Sequence, residues 1–352
     1  MSVASDESRR LQTLRGLACV LLVAFHAIGS QTNSGLRVDE DSALRFFASL
    51  FQYTRMPLFT FLSGFVYAYR PVLPGALAEF ARRKFVRLVI PLLCVSTLYF
   101  VATGFAPPDA NGVIPRDQMW RIYAFHYVHF WFLQAIILIF AAVALLDRWA
   151  LLATPARFGV VLLAAMAIHL TIDMEPAERV PFSWLSALYL APFFLLGLGA
   201  NRFRSLFLQP RVLWMCVSVL AVTMAMYVFV LLQGGRPERD GVLLELTIGV
   251  AGTLAMIGLF PKLRLLERIG AYSFAIYLFH PFFVAATRGV TKPVGITVLI
   301  FGLCVIAGVV GPIGLERALG NVPIVKTMLF GRRWQRDRSG VTRAKGAGIV
   351  PG

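Results

Sequence analysis

The sequence predicts an all-α, polytopic membrane helix bundle of about ten transmembrane helices with both termini cytoplasmic, and three observations carry that prediction. Of 352 residues, 58% are hydrophobic and only 15% charged, against roughly 45–50% and about 25% in an ordinary soluble domain. Apolar runs of about 20 residues, the length that crosses the hydrocarbon core, recur along nearly the whole chain. The 34 Lys and Arg, against 18 Asp and Glu, gather in short breaks between those runs, as cytoplasmic loops do. A water-soluble globule is excluded. The formal charge of +16 finds its explanation in topology, and no nucleic-acid partner is expected.

The first run, 14–30, follows Arg9 and Arg10 in the manner of a signal peptide. It lacks a convincing cleavage site and further spans follow, so it reads as the first transmembrane helix. The second, 46–69, holds Pro57 early enough in the helix to be tolerated. Its mid-span Ser63-Gly64 suits close helix contact. The third, 86–104, lies between the basic stretch after Arg70-Pro71 and the break at Pro107-Pro108. Spans at 128–147, 156–172, 184–200 and 212–233 lead to Gly234-Gly235-Arg236-Pro237, and those at 241–260, 269–287 and 294–315 complete the set. Residues 1–320 form one transmembrane domain, and 321–352 a basic, Gly-rich cytoplasmic tail. With the N-terminus inside, the segments 1–13, 70–87, 147–157, 201–211, 261–268 and 316–352 carry 23 of the Lys and Arg, and the opposite loops nine. The bias fixes the orientation. The four cysteines, Cys19, Cys94, Cys216 and Cys304, lie far apart in apolar runs and read as small buried hydrophobes.

Ionisable residues inside spans cost about 2.5–3.5 kcal/mol on insertion scales, so each is a candidate for chemistry. Arg15 and His26 are eleven residues apart on the first span. On a helix that spacing returns to within about 20° of the same face, about 16 Å further along the axis. Arg15 then sits at the cytoplasmic edge and His26 in the outer half of the membrane, where an imidazole can act as a general base. Arg55 lies near the outer end of the second span, as an interfacial anchor or a cation facing a polar cavity. Arg82, Arg83, Lys84 and Arg87 precede the third span, either setting topology and meeting anionic lipid or holding the phosphates of a nucleotide-bearing donor. His126 and His129, three apart at the outer start of the fourth span, lack a nearby third ligand and make no metal site. His169 is expected at the interface. Glu245 and His280 are the remaining titratable groups within spans, and His280, before Pro281, is expected to bond a backbone carbonyl locally. The outer segment 105–127 carries Asp109, Asp117, Trp120 and Tyr123, either as an interfacial loop with aromatic anchors or as a surface that meets a hydroxyl-bearing ligand. No GxSxG, HExxH or P-loop motif is present, and no metal ligand set is expected.

LQTLRGLACVLLVAFH in the first span, RMPLFTFLSGF in the second, RRKFVRLVIP before the third, HFWFLQAIIL opening the fourth and IGAYSFAIYLFHP at the ninth occur in that order. Together they resemble the acyltransferase-3 family of integral-membrane O-acyltransferases, which modify bacterial surface polysaccharides. The resemblance covers most of residues 11–285. It implies a multi-pass enzyme of the bacterial cytoplasmic membrane with no permanently bound cofactor. A cytoplasmic acyl-CoA, commonly acetyl-CoA, is the implied co-substrate, and a sugar hydroxyl at the outer side the acceptor. The family's Arg-x10-His pair falls on Arg15 and His26, which with Arg55 become the candidate catalytic residues. Its basic Arg-x-x-Arg falls on Lys84 and Arg87, a departure in which Lys replaces the first Arg. Arg82, Arg83, Lys84 and Arg87 then form the donor site, and His129, Trp131, Trp120 and Asp117 are the acceptor-side candidates. His26 would serve either as general base or as acyl carrier. From another functional class, a proton-coupled transporter or flippase of a lipid-linked glycan would use Arg15, His26 and Glu245 as a relay. The chain lacks the internal repeat that transporters often carry.

Overall fold

The computed structural model describes residues 3–73, 75–105, 113–172, 179–235 and 241–332, and among them there is helix and no strand. In chain order the helices are α1 (Val3–Ile28), α2 (Ala43–Leu50), α3 (Gln52–Tyr67), α4 (Leu77–Lys84), α5 (Ile90–Thr103), α6 (Arg121–Ala124), α7 (Trp131–Arg148) and α8 (Pro155–Thr171). They continue as α9 (Trp184–Arg202), α10 (Arg204–Phe207), α11 (Pro210–Leu232), α12 (Gly241–Leu259), α13 (Arg264–Gly270), α14 (Ser273–Thr291), α15 (Thr297–Leu319) and α16 (Pro323–Met328). Seven helices are long and apolar enough to cross a membrane. An eighth crossing is added if α13 and α14, bent by 83° at a short break, act as one. Every predicted span has a helix, but the second, third and ninth differ in detail. The second is divided at Phe51, which ends α2 with its N–H donating to the Ser49 carbonyl and leaves α3 with 16 residues. The fifth, α8, keeps its predicted length of 17 residues. The ninth starts at Ser273 after the sharp turn.

The third span is longer than its apolar run, because α4 continues into α5 through a π-helical turn, Phe85–Val89. Pro91 has no N–H to return to the carbonyl of Arg87, and the wider turn instead lets the Ile90 N–H donate to the Phe85 carbonyl. Such a bulge is common at functional sites, and this one carries Arg87.

Small residues set two close helix crossings. Gly64 of α3 lies against the Phe194 carbonyl of α9, and Gly197 of α9 against the Phe61 carbonyl, so neither position has room for a Cβ. Gly16 of α1 and Gly270 of α13 stand in the same relation to Leu266 and Gln12. The expectation of close packing at Ser63-Gly64 is met there. Large apolar side chains such as Trp214, Val222, Met226 and Phe229 on α11 and Val298, Ile306 and Val310 on α15 stay exposed. An exposed apolar belt of that kind suits lipid.

Ion pairs and hydrogen bonds tie the basic inter-span segments together at one end of the bundle. Arg9 pairs with Glu267, Lys262 with Asp6, Arg204 with Glu7 and Arg202 with Asp147. Arg10 donates to the Ile257 and Gly258 carbonyls, and Arg87 to the Phe330 carbonyl. These contacts join the segments on which the charge bias placed 23 of the Lys and Arg. The beginning of the predicted tail belongs to this end: α16 folds back, Phe330 is buried against Phe279, and Arg332 pairs with Glu316. At the other end Arg45 donates to the Gly29 carbonyl and Arg288 to that of Gly35. Cys19, Cys216 and Cys304 are buried and Cys94 half-buried, all as free thiols.

Candidate active site

A cavity of about 410 Å³ opens among the basic residues and extends inward. Arg15 of α1, Arg70 after α3, Arg83 and Lys84 of α4 and Arg87 of the π turn line its outer part. Ser63, Ile136 and Phe140 form the wall, and Phe59, Phe132 and Tyr277 lie deeper along α3, α7 and α14. Ring centroids are 6.2 Å apart for Phe59 and Phe132 and 5.7 Å for Phe132 and Tyr277, an aromatic cluster at the inner end. A smaller cavity of about 60 Å³ shares Arg15, Arg87, Ser273 and Phe274 with the first and adds Glu316 and Arg332.

The candidate donor-site residues separate by their bonds. Lys84 projects inward, its Nζ 3.2 Å from the centroid of the Phe140 ring. Arg83 is exposed at the mouth and pairs with Glu79 one turn earlier at 3.0 Å. Arg87 is committed to the Phe330 carbonyl at 2.9 Å and lies over the Phe274 ring. Arg82 is exposed and does not line the cavity. Arg15 lines both cavities with no hydrogen-bond or ion-pair partner among the described residues. An unspent guanidinium in an electropositive cleft can take an anion bidentately.

Beyond the aromatic cluster three imidazoles meet. His26 of α1 lies 4.8 Å from His280 of α14 and 6.3 Å from His129, centroid to centroid, and His129 lies 5.2 Å from His280. His129 and His280 are buried. Tyr277 connects the cavity to this nest, lining the first and donating its hydroxyl to the His129 carbonyl. The continuous helix α1 thus keeps Arg15 at the basic mouth and His26 at the nest, as their spacing predicts. A carbonyl only accepts, so each bonded ring nitrogen must carry the proton. His26 Nδ1 donates to the Leu22 carbonyl at 3.0 Å, and His280 Nδ1 to the carbonyls of Ile276 and Tyr277. The Tyr277 carbonyl is the one that Pro281 leaves without an amide, so the local bond expected of His280 is present. His129 Nε2 donates to the Leu278 carbonyl at 3.2 Å.

Arg55 lies behind His26, its Cζ 3.4 Å from the centroid of the Phe25 ring, which in turn meets the His26 ring at 5.3 Å. Its buried Nε has no partner among the described residues. Glu245 is near Tyr53 and does not join the histidines. His129 turns into the nest, whereas His126 stacks on Trp131. Trp120 is exposed and packs edge-on against Phe125, and Asp117 is exposed. Tyr123 is held by Thr97, while Asp109, Pro107, Pro108, Arg236 and Pro237 lie outside the described residues. His169, expected at the interface, is instead buried, bonded to the Tyr189 carbonyl and stacked on that ring, because α9 covers the end of α8. Among the described residues no three His, Cys, Asp or Glu side chains are placed to hold a metal ion.

A family model described as an acyltransferase domain matches residues 9–317, from the start of α1 nearly to the end of α15. The chain belongs to the acyltransferase-3 family. That membership makes it a membrane acyltransferase, with an acyl donor, an acceptor and a bilayer as its partners. Comparison with curated proteins and with solved structures gives no match. The match spans the basic-mouthed cavity and the nest together, so both lie within the acyltransferase-3 domain. Tyr277 and His280 were not singled out together from sequence, although their i, i+3 spacing puts them on one helix face.

Proposed function

We propose that this acyltransferase-3 protein moves an acyl group, commonly acetyl, from acyl-CoA bound at the basic, cytoplasmic end to a hydroxyl of a surface or exported polysaccharide in the bacterial inner membrane. The observation that carries the reading is the cavity with cations at its mouth and an apolar interior that ends at Tyr277, whose hydroxyl donates to the His129 carbonyl of the histidine nest. Cations suit the donor's phosphates, and the apolar interior suits an uncharged acyl-pantetheine arm. Lys84, Arg83 and the unpartnered Arg15 are the groups available to those phosphates, with Arg87 holding the adjoining strap. A sugar hydroxyl needs a base as it attacks a thioester. His26, whose Nδ1–H is held by Leu22, presents the Nε2 lone pair for that role. The hydroxyl proton passes to Nε2 and the oxygen attacks the carbonyl carbon. The C–S bond then breaks, and the thiolate takes the proton back. Arg55, with hydrogen-bonding capacity unspent behind Phe25, suits the oxyanion formed in between. On the acceptor side, Trp131, Trp120, Asp117 and the outer segment 113–127 are the candidates for sugar contact.

Mass analysis of surface glycans tests this reading. Deletion of the gene is expected to remove one acyl group per modified unit, and re-expression to restore it. An unchanged acylation pattern in a strain that expresses the protein would contradict it.

A further inference from the structure

We propose that His129 and His280 form a proton relay with His26, holding the proton taken from the acceptor hydroxyl until the leaving thiolate reclaims it. The inference rests on the acyl-transfer reading above and names two further residues for the same site. With His26 and His280 protonated at Nδ1 and His129 at Nε2, each ring offers one unprotonated nitrogen. The Nε2 of His280 and the Nδ1 of His129 are buried with no partner among the described residues. A nest with three lone pairs and no donor among them is short of one proton. That is an expensive arrangement for groups that serve only packing, since a buried polar atom without a partner has given up its water for nothing in return.

The same nest is suited to hold a proton once it arrives. A lone imidazolium in an apolar bundle bears a large desolvation cost. A neighbouring imidazole that accepts its N–H offsets part of that cost through a charge-assisted bond, and centroid separations of 4.8 and 5.2 Å leave room for one. Tyr99 of α5 and Tyr277 of α14 pack on His129, and Arg55 of α3 stands behind Phe25. From α15, Gly308 meets His280, and the Cys304 thiol is turned to the Val284 carbonyl. The groups packed on the nest are therefore neutral or cationic. In the cycle, the hydroxyl proton moves to His26 Nε2 and is shared with the free nitrogen of His280 or His129. It then returns to the sulfur as the C–S electron pair leaves, so no proton is gained or lost.

Two substitutions separate relay from scaffolding. His280→Asn keeps an amide donor near the position of Nδ1, for the Ile276 and Tyr277 carbonyls, and removes Nε2. His129→Gln keeps a donor near Nε2, for Leu278, and removes Nδ1. With labelled acetyl-CoA and envelope glycan of the producing cells, each variant is expected to lose about 10²-fold in kcat while KM for acetyl-CoA stays within about twofold. The double variant should lose little more than the worse single one, as residues acting as a unit do. 15N NMR of the five histidines gives a readout free of the reaction. In the wild type the signals of His26, His129 and His280 should move together with uptake of one proton, and the coupling should be lost in His280→Asn. Wild-type kcat in both single variants, or three signals that titrate independently, would overturn the relay. Coupled signals in a protein that transfers no acyl group would retain the shared proton and overturn the acyl-transfer reading instead.

Discussion

His26→Ala abolishes glycan acylation while the protein still inserts and purifies as the wild type does: that is the largest single effect expected. His26 stands where α1, α14 and the segment before α7 converge, and its Nδ1 bond to Leu22 aims the chemistry at Nε2. Loss of a general base alone removes about 10²–10⁴-fold in rate, and loss of a covalent carrier removes all of it. The bond to Leu22 is local to α1, so its loss should leave the melting temperature in detergent within a few degrees. Normal acylation in the variant would remove His26 from the reaction.

The second large effect falls at the mouth and on a different kinetic constant. Arg15 shares a helix with His26 yet lines the cavity at its basic end, with no hydrogen-bond or ion-pair partner among the described residues, and Lys84 projects into the cavity from α4. If both meet the donor's phosphates, each contributes a charge-assisted bond worth about 1.5–3 kcal/mol. Arg15→Gln and Lys84→Gln are each expected to raise KM for acetyl-CoA by about 10-fold or more, with kcat at saturating donor within about threefold. Arg82→Gln, an exposed change outside the cavity, should alter neither constant. Arg87 is a poorer probe, because it also holds the Phe330 carbonyl and its removal would loosen the C-terminal strap. A fall in kcat at unchanged KM in Arg15→Gln would move that residue from donor binding to chemistry.

Most of the architecture was legible because a membrane imposes a one-dimensional code. Apolar runs had to be helices, and the ion pairs that join Arg9 to Glu267, Arg204 to Glu7 and Arg202 to Asp147 connect segments that the charge bias had already put on one side. What the runs did not carry was breakage. The split at Phe51, the π turn forced by Pro91 and the 83° bend before Ser273 depend on caps and on backbone hydrogen bonds. The site was half legible for the same reason. Arg15 and His26 lie on one helix, where spacing alone fixes their relation. His129 and His280 reach His26 only through the packing of three separate elements, and no local period announces such a meeting. Single-helix logic left His280 with its carbonyl bond, which it has, and missed the free nitrogen on the other side of the ring.

The central claim is that an acyl group enters at the basic end and leaves from the opposite one. Sealed vesicles of known orientation test it directly, with labelled acetyl-CoA confined to the face that carries Arg83 and Lys84 and glycan acceptor added to either side. Labelled glycan should form when the acceptor is on the face opposite the donor, and disappear in His26→Ala. Product formed only when donor and acceptor share a face would contradict the transmembrane route.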